Sequence, residues 1–71
     1  MGIRMKVKPN DLQVGDRLDQ LTPDLSVVSS PITVIDKERH AQQTVYKVFV
    51  KGQERPIYYS PNATVEITRE V

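Results

Sequence analysis

Apolar and polar residues alternate along much of this chain, and this two-residue period is the feature that most restricts its fold. Successive side chains of a β-strand point to opposite faces, whereas an amphipathic helix needs apolar residues three or four positions apart. No long segment combines that helical spacing with helix-forming residues. The sequence therefore predicts an all-β chain.

Six candidate strands follow from the alternation. They are predicted at about residues 3–7, 17–21, 32–39, 44–51, 55–60 and 64–69. Leu18, Val65 and Ile67 are expected to face the core. On the first and fourth strands, the residues expected to share the face opposite the polar one are Ile3, Met5 and Val7, and Tyr46, Val48 and Val50. Such short strands in a chain of 71 residues predict one domain over residues 1–71, either a small SH3-like barrel or a β-roll of five to six short, mainly antiparallel strands.

The stretch that leads into the third strand follows the period least well. A turn is expected at residues 22–24, and the serines and proline of residues 25–31 leave room only for a short strand around Val27. On the third strand itself, Ile32 and Val34 are expected on one face, and Thr33 and Ile35 on the other. The polar far half of that strand is expected in solvent.

The segment from Pro9 to Asp16 is typical of a tight corner with one helical turn near residues 10–14. Pro9 ends the preceding strand, and Asn10 or Asp11 can cap the turn with a side-chain oxygen. Gly15 can close the corner with the positive φ that other residues avoid. In this arrangement Leu12 and Val14 are both expected to point inward.

Composition restricts the class of protein further. The chain has no cysteine, so neither a disulfide nor a thiolate metal site can supplement a small core, and self-association is a natural route to extra stability. The missing cysteines also favour a reducing compartment. With no apolar run near the roughly 20 residues of a membrane span and no secretory signal pattern, the sequence predicts a cytoplasmic protein with no membrane partner.

Residues that could carry chemistry are few and scattered. The single histidine, His40, lies in a polar stretch with no partner pattern, and Ser26, Ser29 and Ser30 lack a nucleophile elbow. The acidic residues of the first two turns suit turns and caps better than a metal site. The sequence therefore predicts no enzyme, no catalytic, metal or cofactor-binding residue, no cofactor and no small-molecule substrate.

Two surfaces are candidates for recognition instead. The polar faces of the first and fourth strands, with the following hairpin, offer a basic set around one aromatic ring, composed of Arg4, Lys6, Lys8, Lys47, Phe49, Lys51 and Arg55. If the two strands lie close together, this set is suited to DNA or RNA, with lysine and arginine on phosphates and Phe49 stacked on a base. Alternatively, the lysines protect a sheet edge from aggregation, and Phe49 fills a second small core.

The second candidate is a protein-contact patch formed by Val27, Val28 and Tyr58. On a strand the rings of Tyr58 and Tyr59 point to opposite faces. Matching Ile57 and Tyr59 against Arg55 exposes Tyr58, but a barrel with little other aromatic bulk has room to bury either ring. Tyrosine is enriched at protein interfaces, which favours a contact role for an exposed ring. An ordinary half-buried strand residue is the alternative.

The corner Asp11-Leu12-Gln13-Val14-Gly15-Asp16 resembles the Asp-Leu-x-x-Gly-Asp opening of small SH3-like and Hint-like β-barrel modules, among them the first domain of bacterial elongation factor P. This resemblance implies the barrel fold but no self-splicing, because the chain lacks the Hint nucleophile and its terminal His-Asn pair. In layout, through Tyr58-Tyr59-Ser60-Pro61 and on to Ile67, the chain is similar to short accessory proteins of actinobacterial phages. That similarity implies a phage protein made in the host cytoplasm that acts by binding.

The sequence thus predicts a non-catalytic binding module that contacts a protein partner or a second copy of itself. The alternative is a nucleic-acid-binding barrel that uses the basic set.

Overall fold

Six antiparallel strands form one sheet in the computed structural model, which describes residues 1–70. The strands are β1 (Gly2–Val7), β2 (Arg17–Leu21), β3 (Val27–His40), β4 (Gln43–Val50), β5 (Ile57–Tyr59) and β6 (Val65–Glu70). Their order in the sheet is β1-β6-β2-β3-β4-β5. The all-β prediction is confirmed, but the sheet is not closed into a barrel, because β1 and β5 form no ladder with each other within the described residues.

The long strand β3 joins the two halves of the sheet. Residues 27–31 pair with β2, and residues 32–40 pair with β4. Between these two segments the β3–β4 register shifts at Ile32/Val34, as in a β-bulge, and the hydroxyl of Thr33 donates to the carbonyl of Phe49 at 3.3 Å. A bulge bends a strand and increases its twist, so it lets one strand serve both halves.

The core lies between these two halves. Its buried members are Leu12, Leu18, Ile32, Val48, Val50, Val65 and Ile67, and Met5, Val7, Ile35, Ile57 and Tyr59 pack against them partly buried. The predicted inward faces of β2, β4 and β6 are therefore confirmed. Burial of this aliphatic surface is the main favourable term available to a domain without disulfides.

Two predicted orientations are wrong. The bulge moves the β3 side chains by one position, so Ile35 packs against the core and Val34 is exposed instead of sharing the face of Ile32. Ile3 shares the face of Met5 and Val7 as predicted, but it is exposed because β1 is an edge strand. Val14 is 63% exposed, since the chain reverses after Leu12 and turns Val14 outward.

Strand lengths also differ from the prediction. The short strand expected around Val27 is the first part of the 14-residue strand β3, because pairing with β2 orders the serine-rich stretch. β5 is shorter than predicted, with three residues, 57–59, paired to β4.

The corner before β2 contains one turn of 3-10 helix, Pro9–Asp11, with proline at its start. This is slightly earlier than the predicted turn, and no side chain caps it, so the expected cap from Asn10 or Asp11 is wrong. Gly15 has φ +100°, as the corner requires, and its N–H donates to the carbonyl of Ile32 at 2.9 Å. In return, the N–H of Ile32 donates to the carbonyl of Asp16 at 2.8 Å.

Asp16 fixes this corner to β6 through a buried ion pair. Its side chain is 3% exposed, and Arg69 donates from Nε to Oδ1 at 2.9 Å and from a terminal nitrogen to Oδ2 at 2.8 Å. The N–H of Gln13 donates to the same carboxylate at 3.0 Å. The hydrogen bonds from Arg69, followed by the one from Gln13, lower the pKa of Asp16, although burial opposes the shift.

We expect Asp16→Asn to lower the free energy of unfolding by about 2 kcal/mol at neutral pH, because the buried charge-assisted hydrogen bonds are lost. A carboxylate whose pKa is lower in the folded state stabilises the fold above its unfolded pKa, near 3.8, and this contribution disappears as the pH falls through the folded value. The difference in the free energy of unfolding between wild type and variant should therefore decrease below about pH 4. Urea unfolding across this range measures the difference, with the exposed Asp36→Asn as control. A free-energy difference that does not change with pH would contradict a stabilising role for the ionised Asp16 carboxylate.

Candidate interaction surface

Exposed apolar side chains are concentrated at the tip of the β2–β3 hairpin. Four aliphatic side chains there face solvent, and we call them the hairpin tip: Leu21, Leu25, Val27 and Val28. Leu25 is 78% exposed. Several exposed aliphatic side chains within one short hairpin, on both faces of it, are more typical of an interaction site than scattered single ones.

The backbone at the tip makes the choice of leucine unusual. The N–H of Leu25 donates to the carbonyl of Thr22 at 2.9 Å, with Pro23 and Asp24 at the centre of this turn. Leu25 follows with φ +66°, the left-handed conformation that glycine normally supplies at this position of a hairpin. A bulky L-residue there costs about 1–2 kcal/mol. The chain therefore holds a solvent-exposed leucine at a position where glycine would be less strained.

Hydrogen bonds hold this turn in one conformation. The N–H of Thr22 donates to the carbonyl of Ser26 at 2.8 Å, and the Thr22 hydroxyl donates to the carboxylate of Asp24. The N–H of Ser26 also donates to Asp24, at 3.2 Å. The hydrogen bond from Thr22, followed by that from Ser26, lowers the pKa of Asp24, so the turn is fastened by a charged acceptor. Leu25 is thus presented from a well-defined loop.

The predicted patch of Val27, Val28 and Tyr58 is not one continuous face. Val27 lies opposite Leu21 in the β2–β3 ladder, whereas Val28 lies opposite Gln20 and so points to the other face of the sheet. Tyr58 is on β5, at the far edge of the sheet from β2. Its ring is 55% exposed while Tyr59 packs against the core, as the alternation favoured.

Tyr58 instead belongs to the outer face of β3, β4 and β5. It lies opposite Lys47, and the Lys47 ammonium is 5.3 Å from the centre of the Phe49 ring. Val34 lies opposite Phe49 on the same face, and Asp36 lies opposite Lys47. We call this surface the aromatic face: Val34, Lys47, Phe49 and Tyr58. It carries two rings and one cation, with one acidic neighbour.

The predicted basic set is divided between two places. Three strands separate β1, which carries Arg4 and Lys6, from β4, which carries Lys47 and Phe49. Lys51 directly follows β4, and Arg55 is exposed in the loop before β5. The structure therefore does not unite the seven residues on one face.

The β1 members of that set have acidic and polar neighbours. Arg4 Nε lies 3.6 Å from Asp19, and Glu66 lies 3.9 Å from Arg4 and 3.8 Å from Lys6. The Lys8 ammonium donates to the carbonyl of Asn62 at 3.0 Å. Arg4, Lys6 and Lys8 are thus three cations beside the two carboxylates of Asp19 and Glu66, so this stripe has an excess of one positive charge.

Side chains elsewhere in the described residues that could act in catalysis or bind a metal are not grouped into a site. His40 is exposed, and its Nε2 lies 3.1 Å from Glu38. Across residues 1–70, no three His, Cys, Asp or Glu side chains are grouped so that they could hold a metal ion. The same part of the chain contains no helix with the length and apolar character needed to cross a membrane.

Comparisons with protein families, with curated proteins and with solved structures give no match for this chain. The exposed surfaces of the chain are therefore the basis for a functional proposal.

Sequence reasoning missed Leu21 and Leu25 as surface residues. Leu21 lies three positions after the inward Leu18, so alternation already places it on the outer face, whereas Leu25 lies in a stretch with no clear period. A usable signal was present, however. Pro-Asp followed by glycine is the usual hairpin sequence, and here leucine stands in the glycine position.

We expect Leu25→Gly to stabilise the protein by about 1 kcal/mol, because glycine adopts positive φ without strain and the exposed leucine contributes little burial. For a domain of this size, that gain raises the melting temperature by about 4–8 °C. Ala41→Gly is the matched variant, since Ala41 also has positive φ (54°) in a hairpin turn. Thermal unfolding followed by circular dichroism measures both. A lower melting temperature for Leu25→Gly would instead assign the leucine a packing role within the domain.

Proposed function

We propose that this chain is a non-catalytic binding module that contacts a protein partner, or a second copy of itself, through the hairpin tip. The observation that carries the proposal is Leu25, which is both strained in its backbone and 78% exposed. Neither property benefits the folded chain alone. Backbone strain of this kind is concentrated at functional sites, where a required side chain justifies its cost.

The chemistry of the tip supports binding as its role. Its four side chains are aliphatic, so they supply contact area and offer no acid, base or nucleophile. The hydrogen-bonded turn reduces the conformational entropy lost on association, because the loop is already ordered. With no cysteine in the chain, we place this binding in the cytoplasm, which for a phage protein is the cytoplasm of the host.

A photo-cross-linking amino acid at position 25 tests the proposal. In cells that express the protein, we expect a cross-linked product from position 25 and none from position 42, in the turn at the other end of β3. The mass of the product distinguishes a second copy from a different protein. Unmodified Leu25→Gly should fail to compete for the product, while wild type and Ala41→Gly compete equally. Equal labelling from positions 25 and 42, or no labelling from either, would refute the role of the tip.

Nucleic-acid binding is the second candidate function, and the aromatic face is the observation that favours it. An exposed tyrosine and a phenylalanine beside a lysine are the groups that bind single strands by stacking and phosphate contact. Lys51 and Arg55 lie near the ends of β4 and β5 and add positive charge. In this alternative, Arg4, Lys6 and Lys8 take no part, because three strands lie between β1 and β4.

If the aromatic face binds single-stranded oligonucleotide, affinity should fall steeply with added salt. We expect Tyr58→Ala to weaken binding about tenfold through lost stacking, and Lys47→Gln to reduce the salt dependence. Fluorescence anisotropy with a labelled oligonucleotide measures both effects, and Lys6→Gln is the charge-matched control. No binding at low salt would exclude this candidate, and an equal effect of Lys6→Gln would place binding elsewhere.

A further inference from the structure

β1 is an open edge of the sheet over its full length. All six of its residues, Gly2 to Val7, pair with β6 on one side, and no strand within the described residues pairs with the other side. Such an edge presents unpaired backbone donors and acceptors, which can receive another extended segment.

The two faces of this edge have different chemistry. Ile3, Met5 and Val7 are on the core side, where Met5 and Val7 are only partly buried. Arg4 and Lys6 are on the outer side, with side chains 68% and 70% exposed. An added strand would therefore place alternate residues beside an apolar row and a basic row.

β6, the present neighbour of β1, shows which pattern suits these rows. Val65 and Ile67 lie opposite Val7 and Met5, and Glu66 lies opposite Lys6. Arg4, Met5, Lys6 and Glu66 also line a depression of about 190 Å³. It is smaller than the roughly 300–1,000 Å³ of a small-molecule site, and its size suits a single side chain.

A second copy of β1 does not suit this edge. When two β1 strands pair antiparallel with their apolar faces on the same side, Arg4 and Lys6 face the even-numbered residues of the other copy, of which Arg4, Lys6 and Lys8 are basic and only Gly2 is uncharged. Like charges placed directly opposite each other are destabilising, so the basic row opposes self-pairing. The same row attracts carboxylates.

We infer that the β1 edge binds, by strand addition, an extended segment of a partner protein in which acidic and apolar residues alternate. This inference rests on the proposed role as a binding module but uses a different surface from the hairpin tip. Leu25→Gly should therefore leave binding at the β1 edge unchanged. A negative result at one of the two surfaces does not contradict the proposal for the other.

The test uses a short peptide that alternates valine and glutamate, labelled for fluorescence anisotropy. We expect it to bind the intact chain, and we expect a peptide alternating valine and lysine to bind at least about tenfold more weakly, since each pair changes from attraction to repulsion. Two N-methylated forms of the glutamate peptide, methylated at alternate residues, then distinguish strand addition from simple charge attraction. Each edge of a strand carries the N–H groups of alternate residues, so one form should lose binding and the other keep it.

Variants locate the site. Arg4→Gln with Lys6→Gln should weaken binding about fivefold, whereas Lys47→Gln with Lys51→Gln, which removes the same net charge, should leave it unchanged. Circular dichroism confirms folding of both pairs, and amide chemical shifts of wild type should change along β1. Equal binding of both charge patterns, of both N-methylated forms, or to both variant pairs would overturn the inference. Changes along β1 with an oligonucleotide but none with the peptide would also overturn it and would assign the basic row to nucleic acid.

Discussion

The link between Asp16 and its neighbours is the constraint on which the rest of the fold depends. Through its backbone the corner bonds to Ile32, where β3 passes from one half of the sheet to the other, and through its carboxylate it binds Arg69 on β6. Three segments that are distant in sequence thus meet at one buried residue. The buried core of residues 1–70 has seven aliphatic members, so the domain depends on this polar junction to fix how its two halves face each other.

The open sheet is a direct consequence of where β3 bends. The bulge lets the two halves of the sheet enclose the core, but β5 has only three residues and does not reach β1. Both edges therefore stay available, and the hairpin tip extends beyond the core instead of covering it. The same bend that creates a core for so short a chain leaves apolar and unpaired groups at its margins.

Local periodicity was sufficient to predict much of this fold. The bounds of β2 and the inward faces of β4 and β6 follow from alternation, because those strands pair regularly. The orientation of Val34 was not predictable, since a bulge shifts the side-chain period by one residue and arises from pairing with β4. The separation of Lys6 from Lys47 was not predictable either, because strand order is a non-local property. Candidate surfaces that span several strands were therefore the weakest part of the sequence prediction.

The β1 edge and the hairpin tip have opposite effects on the stability of the isolated domain. Arg4 and Lys6 benefit the isolated domain, because a charged edge resists aggregation, and the acidic strand that we propose as their partner would use the same charges at no cost to the fold. Leu25 has the opposite effect, since its strain of about 1 kcal/mol is a sizeable part of the roughly 5–10 kcal/mol that holds a small domain folded. Glycine at this position would remove that cost without disturbing the turn, because residue 25 contributes only its backbone N–H to the hydrogen bonds there. The leucine is thus the one residue of the tip that folding alone does not explain, and contact with another molecule is the role that its exposure and chemistry allow.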